Sequence, residues 1–181
     1  KPYFARIDFK DEDALEEIEC YIGKVGVSDE NNKLITVDWR APVASLYYDA
    51  NVGEASYEAP IGLIKGDLLL KRQYEIEDGQ LKSFQDIDTV ASDELLKPYL
   101  SMNADNRLKN IVATIQKEQN EIIREKIYKN LIVEGVAGSG KTTVALHRIA
   151  YLVYHYQDAI KPNQYLVIGP NRFFVNYISG V

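Results

Sequence analysis

The sequence is poor in the residues that carry redox, disulfide and soft-metal chemistry. Cys20 is the one cysteine, which excludes an internal disulfide and a cysteine-based zinc site. Its neighbours Glu19 and Tyr21 supply no cation to lower its pKa, so no reactive thiolate is expected. His147 and His155 are the only histidines; neither has a second ligand at metal spacing, and both are expected at a surface or boundary. No Ser/His/Asp arrangement, internal repeat or low-complexity stretch occurs. No apolar run approaches the ~18–20 residues that span a bilayer, and the first thirty residues carry no secretion signal. A cytoplasmic protein without a membrane partner is expected. The chain opens on Lys1 and holds Met102 as its sole methionine, which leads us to expect a fragment.

What is present is an ordinary globular composition: 181 residues, 46% hydrophobic and 27% charged. The net charge of −6 is unevenly spread. Residues 1–104 hold 11 basic against 21 acidic residues, whereas residues 105–181 hold 10 against 6. Such a split points to two segments meeting different partners. The basic half can attract phosphate; the acidic half repels a nucleic-acid backbone.

Residues 1–90 read as an antiparallel β-rich segment, partly rolled into a barrel. Residues 19–27 and 33–40 flank the polar cluster 28–32 and are expected to form a hairpin. A second hairpin is expected around Asp78-Gly79, a dipeptide that suits a type I′ turn because both central residues need positive φ. Pro42, Gly53, Pro60, Gly62 and Gly66 punctuate shorter strands, among them Ser45 to Tyr48, and residues 11–19 read as a short acidic helix or turn. The thirteen tyrosines are scattered through these strands, where aromatic packing is the common explanation. Asp38 and Arg40 beside Trp39, the one tryptophan, read as a fold-stabilising pair.

Near residue 90 the pattern changes. Ser92-Asp93-Glu94 resembles a helix start. A helix is expected over 105–126, with Leu108, Ile111/Val112, Ile115 and Ile122/Ile123 as its apolar stripe. Next come an apolar strand, residues 131–133, a glycine loop, a helix over 141–156, a turn at 158–163 and a second apolar strand, 165–168. Strand, helix and strand with this crossover length make a βαβ unit.

Gly135, Gly140, Lys141 and Thr142 stand at the spacing of a Walker A loop, Gly-x-x-x-x-Gly-Lys-Thr. A chance match at these four positions arises in only about one chain in a few hundred. Glycines at Gly135, Gly138 and Gly140 let the backbone turn so that N–H groups, including those of Ser139 to Thr143, converge on a phosphate. The following helix adds its N-terminal positive end. Lys141 reaches the β- and γ-phosphates and the Thr142 hydroxyl holds Mg²⁺. ATP and Mg²⁺ are thus the expected cofactors. Gln119 interrupts the apolar stripe of its helix and needs a partner. Either a nearby backbone group satisfies it or an adenine edge does, since adenine offers an acceptor beside a donor.

Gln119, the loop from Gly135 to Thr142, and Leu146-His147-Arg148-Ile149-Ala150-Tyr151-Leu152 resemble the opening motifs of UvrD-like superfamily 1 helicases. The closer resemblance is to HelD-type, helicase IV-like proteins. Tyr3-Phe4-Ala5-Arg6-Ile7-Asp8-Phe9, Tyr21-Ile22-Gly23, Asp38-Trp39-Arg40-Ala41-Pro42, Leu70-Lys71-Arg72-Gln73 and residues 111–124 carry it. It implies that Gln119 contacts adenine, and that residues 91–181 are the first part of an α/β P-loop (RecA-like) motor domain. Ile168 to Arg172 then falls in the region that touches single-stranded DNA, with Asn171 and Arg172 as the contact residues. The family is associated with RNA polymerase, which it helps to release from stalled complexes, so DNA and RNA polymerase are both expected partners. The family's N-terminal coiled coil is not expected here, because the sequence begins in the β-rich segment.

A hydrolysing site also needs a carboxylate at the end of another strand and an arginine finger. After Thr143 the one acid is Asp158, in a turn. The missing groups are expected beyond Val181, and the 181-residue chain alone is expected to bind nucleotide weakly or not at all and to turn it over negligibly. A small-molecule P-loop kinase is the rival from another class, but nothing after Thr143 supplies an acceptor-binding lid.

Overall fold

A computed structural model describes residues 2–14, 16–87 and 115–178. They fall into two compact units, one up to Lys117 and the other from Glu118. The helix start expected at Ser92, and the part of the 105–126 helix before residue 115, lie outside the described residues.

The first unit is a β-rich sheet. Its strands are β1 (Ala5–Asp11), β2 (Glu17–Gly23), β3 (Val27–Ser28), β4 (Leu34–Asp38), β5 (Gly53–Ala59), β6 (Gly62–Glu77) and β7 (Gln80–Asp86). The order is β3-β4-β2-β1-β6-β5, with β7 also on β6. The 16-residue β6 organises the sheet. Leu68 pairs with Phe9 of β1 and with Gly53 of β5, while Arg72 pairs with Arg6 of β1 and with Asp86 of β7. A strand has two edges, so β5 and β7 lie end to end along the edge opposite β1.

Alternation on β1 sets the core. Ala5, Ile7 and Phe9 are fully buried, as are Ile22 of β2 and Leu68 of β6. The register of β1 on β6 slips between Asp8 and Phe9, leaving Leu69 as the extra residue of a bulge. The turn between β6 and β7 has φ of 48° at Asp78 and 78° at Gly79, the geometry of the expected type I′ hairpin.

Two expectations for this unit need correction. Residues 19–27 do not form one arm of a hairpin. β2 ends at Gly23 and runs parallel to β4, pairing Ile22 with Val37 and Gly23 with Asp38, so the sheet is mixed. Only the two-residue β3 pairs antiparallel with β4, around a turn where Asp29 Oδ1 accepts from the amides of Asn31 and Lys33. A continuous apolar stretch sets burial, not register, and the bend at Lys24 to Gly26 is silent in such a pattern. Ser45 to Tyr48 is not a strand: Pro42 opens a 3-10 turn and α1 (Ser45–Asp49) follows, with Ser45 Oγ donating to the Pro42 carbonyl. Three consecutive buried residues, Leu46, Tyr47 and Tyr48, suit a helix wedged against a sheet better than a pleat that alternates faces. Within the expected segment 11–19, Asp11 ends β1, residues 12–13 form a turn, and β2 begins at Glu17.

Among the described residues, the buried polar side chains of this unit are paired. Arg40 grips Asp38 with two prongs, Nε to Oδ1 at 2.8 Å and Nη2 to Oδ2 at 2.6 Å, beside the buried Trp39, the structural pair the sequence led us to expect. Arg6 holds Asp8 in the same way and reaches the Tyr21 hydroxyl at 3.1 Å. Tyr3, Tyr21 and Tyr74 cluster with ring centroids 4.9–6.2 Å apart, so these tyrosines serve packing. Burial pushes the Cys20 thiol up to about 12, which removes it from thiolate chemistry.

Lys71 is the costly residue. It is 1% exposed, and its ammonium donates to the Ala50 carbonyl at 2.7 Å, at the carboxyl end of α1. Burial lowers its pKa from 10.5 to about 8, against the partial compensation of Asp49. Between those two values the unfolded chain binds more protons than the folded one, so stability rises with pH across that window. The rise attributable to Lys71 is at most about 3 kcal/mol. Urea unfolding at pH 7.5 and pH 10 checks this: the wild type gains stability relative to Lys71→Met over that interval, and parallel pH profiles would contradict it.

Candidate nucleotide-binding site

The second unit carries α2 (Lys117–Arg124), which starts at its border, then α3 (Lys141–His155) and α4 (Arg172–Ile178). Residues 131–133 and 165–168, expected as parallel strands, join no ladder among the described residues. Ile132 is 91% and Ile168 86% exposed. Apolar runs specify burial, and a parallel pair forms only where both faces and the edges find cover; neither segment finds it here. The βαβ unit is therefore not present among the described residues.

The glycine loop is folded as a turn feeding a helix. The Ser139 amide donates to the Val136 carbonyl at 3.2 Å, and Gly138 between them has φ 81°. Positive φ at that third position, without positive φ at Ala137, is the mark of a type II turn. Gly140 follows at φ 83° as the residue that opens α3, and no side chain caps the helix. The first-turn N–H groups have no acceptor within their own helix and constitute a ready anion site. Gly135 lies close under the loop: a Cβ there would stand 2.7 Å from Ser139 Oγ, so a larger residue would require the Ser139 side chain to rotate away.

Lys141 lies at the centre of this turn. Its ammonium donates to the carbonyls of Gly135 and Val136, both at 2.7 Å, which holds the charge over the loop backbone. Thr142 and Thr143 follow in the first turn of α3. Gln119 projects from α2 to the same place: its Nε2 donates to the Ser139 carbonyl at 3.2 Å and stands 3.1 Å from where a Cβ on Gly140 would lie. The structure thus brings Gln119, Gly135, Gly138, Ser139, Gly140 and Lys141 into one cluster, with a backbone group as one partner of the glutamine. A cluster of backbone amides, one ammonium and a threonine hydroxyl suits a polyphosphate with a hard cation, since it offers donors to the anion and an oxygen to the metal.

Asn171 and Arg172 are placed differently. Asn171 Oδ1 accepts from the Phe174 amide at 2.9 Å and so caps α4, while Arg172 is exposed in the first turn.

Four residues near the site were not assigned a role from the sequence. Asn120, rather than Gln119, is the fully buried polar residue of α2. Ile122 and Ile123 straddle the inward face, so the stripe extends backward through either 119 or 120, and periodicity cannot choose. Arg124 Nε donates to Asn120 Oδ1 at 3.0 Å, and its guanidinium lies 5.2 Å from the centroid of the Tyr151 ring. Arg148 donates to carbonyls of α2 and the residues just after it. His147, expected at a surface or boundary, is buried, and its Nδ1 donates to the Thr143 carbonyl at 2.8 Å. A four-residue back-bond within a helix leaves no trace in composition.

Two family profiles match the chain. The profile of the UvrD/REP helicase N-terminal domain matches residues 115–170, the stretch holding α2, the glycine loop and α3, which defines the class as UvrD-like helicase. The profile of the N-terminal domain of DNA helicase IV HelD matches residues 1–96, more than half of the chain, and the chain belongs to that family. Among curated proteins nothing matches.

Proposed function

We propose that residues 91–181 are the ATP-binding portion of a superfamily 1 helicase-like ATPase with a RecA-like motor domain, preceded by the β-rich accessory segment 1–90. The observation that carries the reading is the convergence of Gln119 and Lys141 on one glycine loop that opens a helix. In this reading the N–H groups from Gly138 to Thr143 hold the triphosphate, Lys141 exchanges its loop carbonyls for phosphate oxygens, and the Thr142 hydroxyl holds Mg²⁺. The Gln119 amide meets the adenine edge at the rim of the loop. Bound ATP supplies the anhydride whose hydrolysis drives movement along nucleic acid. Arg172 is the candidate for a DNA phosphate contact, because Asn171 already serves its helix.

Competition binding with the full-length protein tests the base assignment. Gln119→Ala lowers the preference for ATP over GTP about tenfold, in line with the ~1–3 kcal/mol of a bidentate base contact. An unchanged preference would refute the adenine role. A second reading, in which the ATPase drives release of RNA polymerase, is favoured by the acidic balance of residues 1–104, 21 acidic against 11 basic residues, which suits a basic protein partner better than DNA and also serves solubility. Strand-displacement and polymerase-release assays on the full-length protein separate the two.

A further inference from the structure

We propose that Arg148 is the positioning residue that sets Gln119 against the phosphate loop. The inference rests on the nucleotide reading above and deepens it by naming what fixes base selectivity. α2 spans only eight residues, too few to hold a helix without tertiary support. Its last carbonyls also lack partners within the helix. One guanidinium meets two of them and the next two beyond the helix: Arg148 Nη1 donates to the carbonyls of Ile122 at 3.0 Å and Ile123 at 3.2 Å of α2 and of Glu125 at 2.6 Å, and Nη2 to that of Lys126 at 3.1 Å. A cation at a helix carboxyl end is favourable in itself, and charge-assisted bonds are the strong ones.

A second arginine crosses the other way. Arg124 of α2 lies over Tyr151 of α3 while its Nε is held by the fully buried Asn120. The two helices thus exchange guanidinium groups, and α2 is fixed in rotation as well as in height. At its other end α2 touches the loop through Gln119 and Ser139.

The consequence follows from chain geometry. Lys141 and Arg148 sit on one helix seven residues apart, a rise of roughly 10 Å. α3 therefore carries the phosphate-binding lysine at its first residue and the anchor of the base reader two turns later. The distance from phosphate to base is set by a rigid rod that grips the end of α2 and the two residues after it, and not by the rest of the connection, residues 127–134. Lysine cannot replace the arginine in this role, because a point charge on a flexible stem cannot address four carbonyls with a planar fork.

The test is competition binding of ATP, GTP and inorganic tripolyphosphate to the full-length protein, comparing wild type, Gln119→Ala, Arg148→Lys and the double variant. Arg148→Lys keeps a charge at the helix end, so it is the variant chosen to remain folded; its melting curve is recorded alongside. The expected result is a loss of ATP-over-GTP preference of about tenfold in Arg148→Lys, with tripolyphosphate affinity within about twofold of wild type, and no further loss in the double variant beyond Gln119→Ala. Retention of the wild-type preference by Arg148→Lys would overturn the positioning role while leaving the nucleotide reading intact. An equal loss for all three ligands would overturn it too, since a merely structural arginine behaves that way. Absence of binding by the wild type would instead remove the nucleotide reading itself, and this inference with it.

Discussion

Lys141→Ala reduces ATP turnover by the full-length protein to below about 1% of the wild-type rate, because loss of one preorganised electrostatic contact to transferring phosphate costs two to three orders of magnitude. The substitution touches little else. Among the described residues the Lys141 ammonium bonds to two exposed loop carbonyls, and the loop's shape depends on glycine dihedrals and the Ser139–Val136 hydrogen bond. Thermal unfolding therefore shifts by no more than about 2 °C. Loss of turnover with an intact melting curve separates a binding role from a folding role. Retained turnover would show that the ammonium does not act on phosphate.

Phe9→Ala has the largest expected effect on stability. Phe9 is fully buried between β6 and Tyr57, whose ring it meets at 72° with centroids 5.7 Å apart. Its ring also covers Gly66: a Cβ at that position would stand 2.7 Å from Phe9 Cζ and 2.1 Å from the Lys10 carbonyl oxygen. Removing the ring leaves a cavity where a glycine offers nothing to collapse into it. The cost is about 3–5 kcal/mol, read as the shift in the urea midpoint of the β-rich unit. A loss below about 1 kcal/mol would mean that the ring is not packed as described. Gly66→Ala is destabilising for a related reason, and Phe9→Leu does not rescue it, since the backbone carbonyl remains in the way.

The features that were legible in the sequence are those where one residue's covalent nature dictates a local geometry. Asp78-Gly79 announced its turn because few other dipeptides accept two positive φ values, and the glycines of the loop announced theirs for the same reason. The start of α3 at Lys141 follows directly from Gly140. What failed depended on partners far along the chain. The parallel pairing of β2 with β4 and the helical state of Ser45 to Tyr48 are decided by what the sheet needs covered, not by the propensity of those residues. The apolar segments 131–133 and 165–168 carry strand composition, yet composition cannot supply the neighbouring strands that turn it into a ladder.

The candidate site divides in the same way. Lys141 and Thr142 could be named from the Walker A spacing, and Gln119 from its place in the apolar stripe, with the resemblance to UvrD-like helicases adding its adenine role. Arg148 and Asn120 could not, because their work is to hold one helix against another. An arginine that caps a neighbouring helix looks, in sequence, like any charge on an amphipathic face.

The account turns on whether the amides around Ser139 receive an anion. The most direct measurement is the backbone amide spectrum of the full-length protein, followed on addition of Mg²⁺ with ATP and, separately, with AMP. The account predicts large shifts at residues 138–143 with ATP and none there with AMP, which lacks the β- and γ-phosphates. Shifts of equal size with both nucleotides, or none at these residues with saturating ATP, would contradict it.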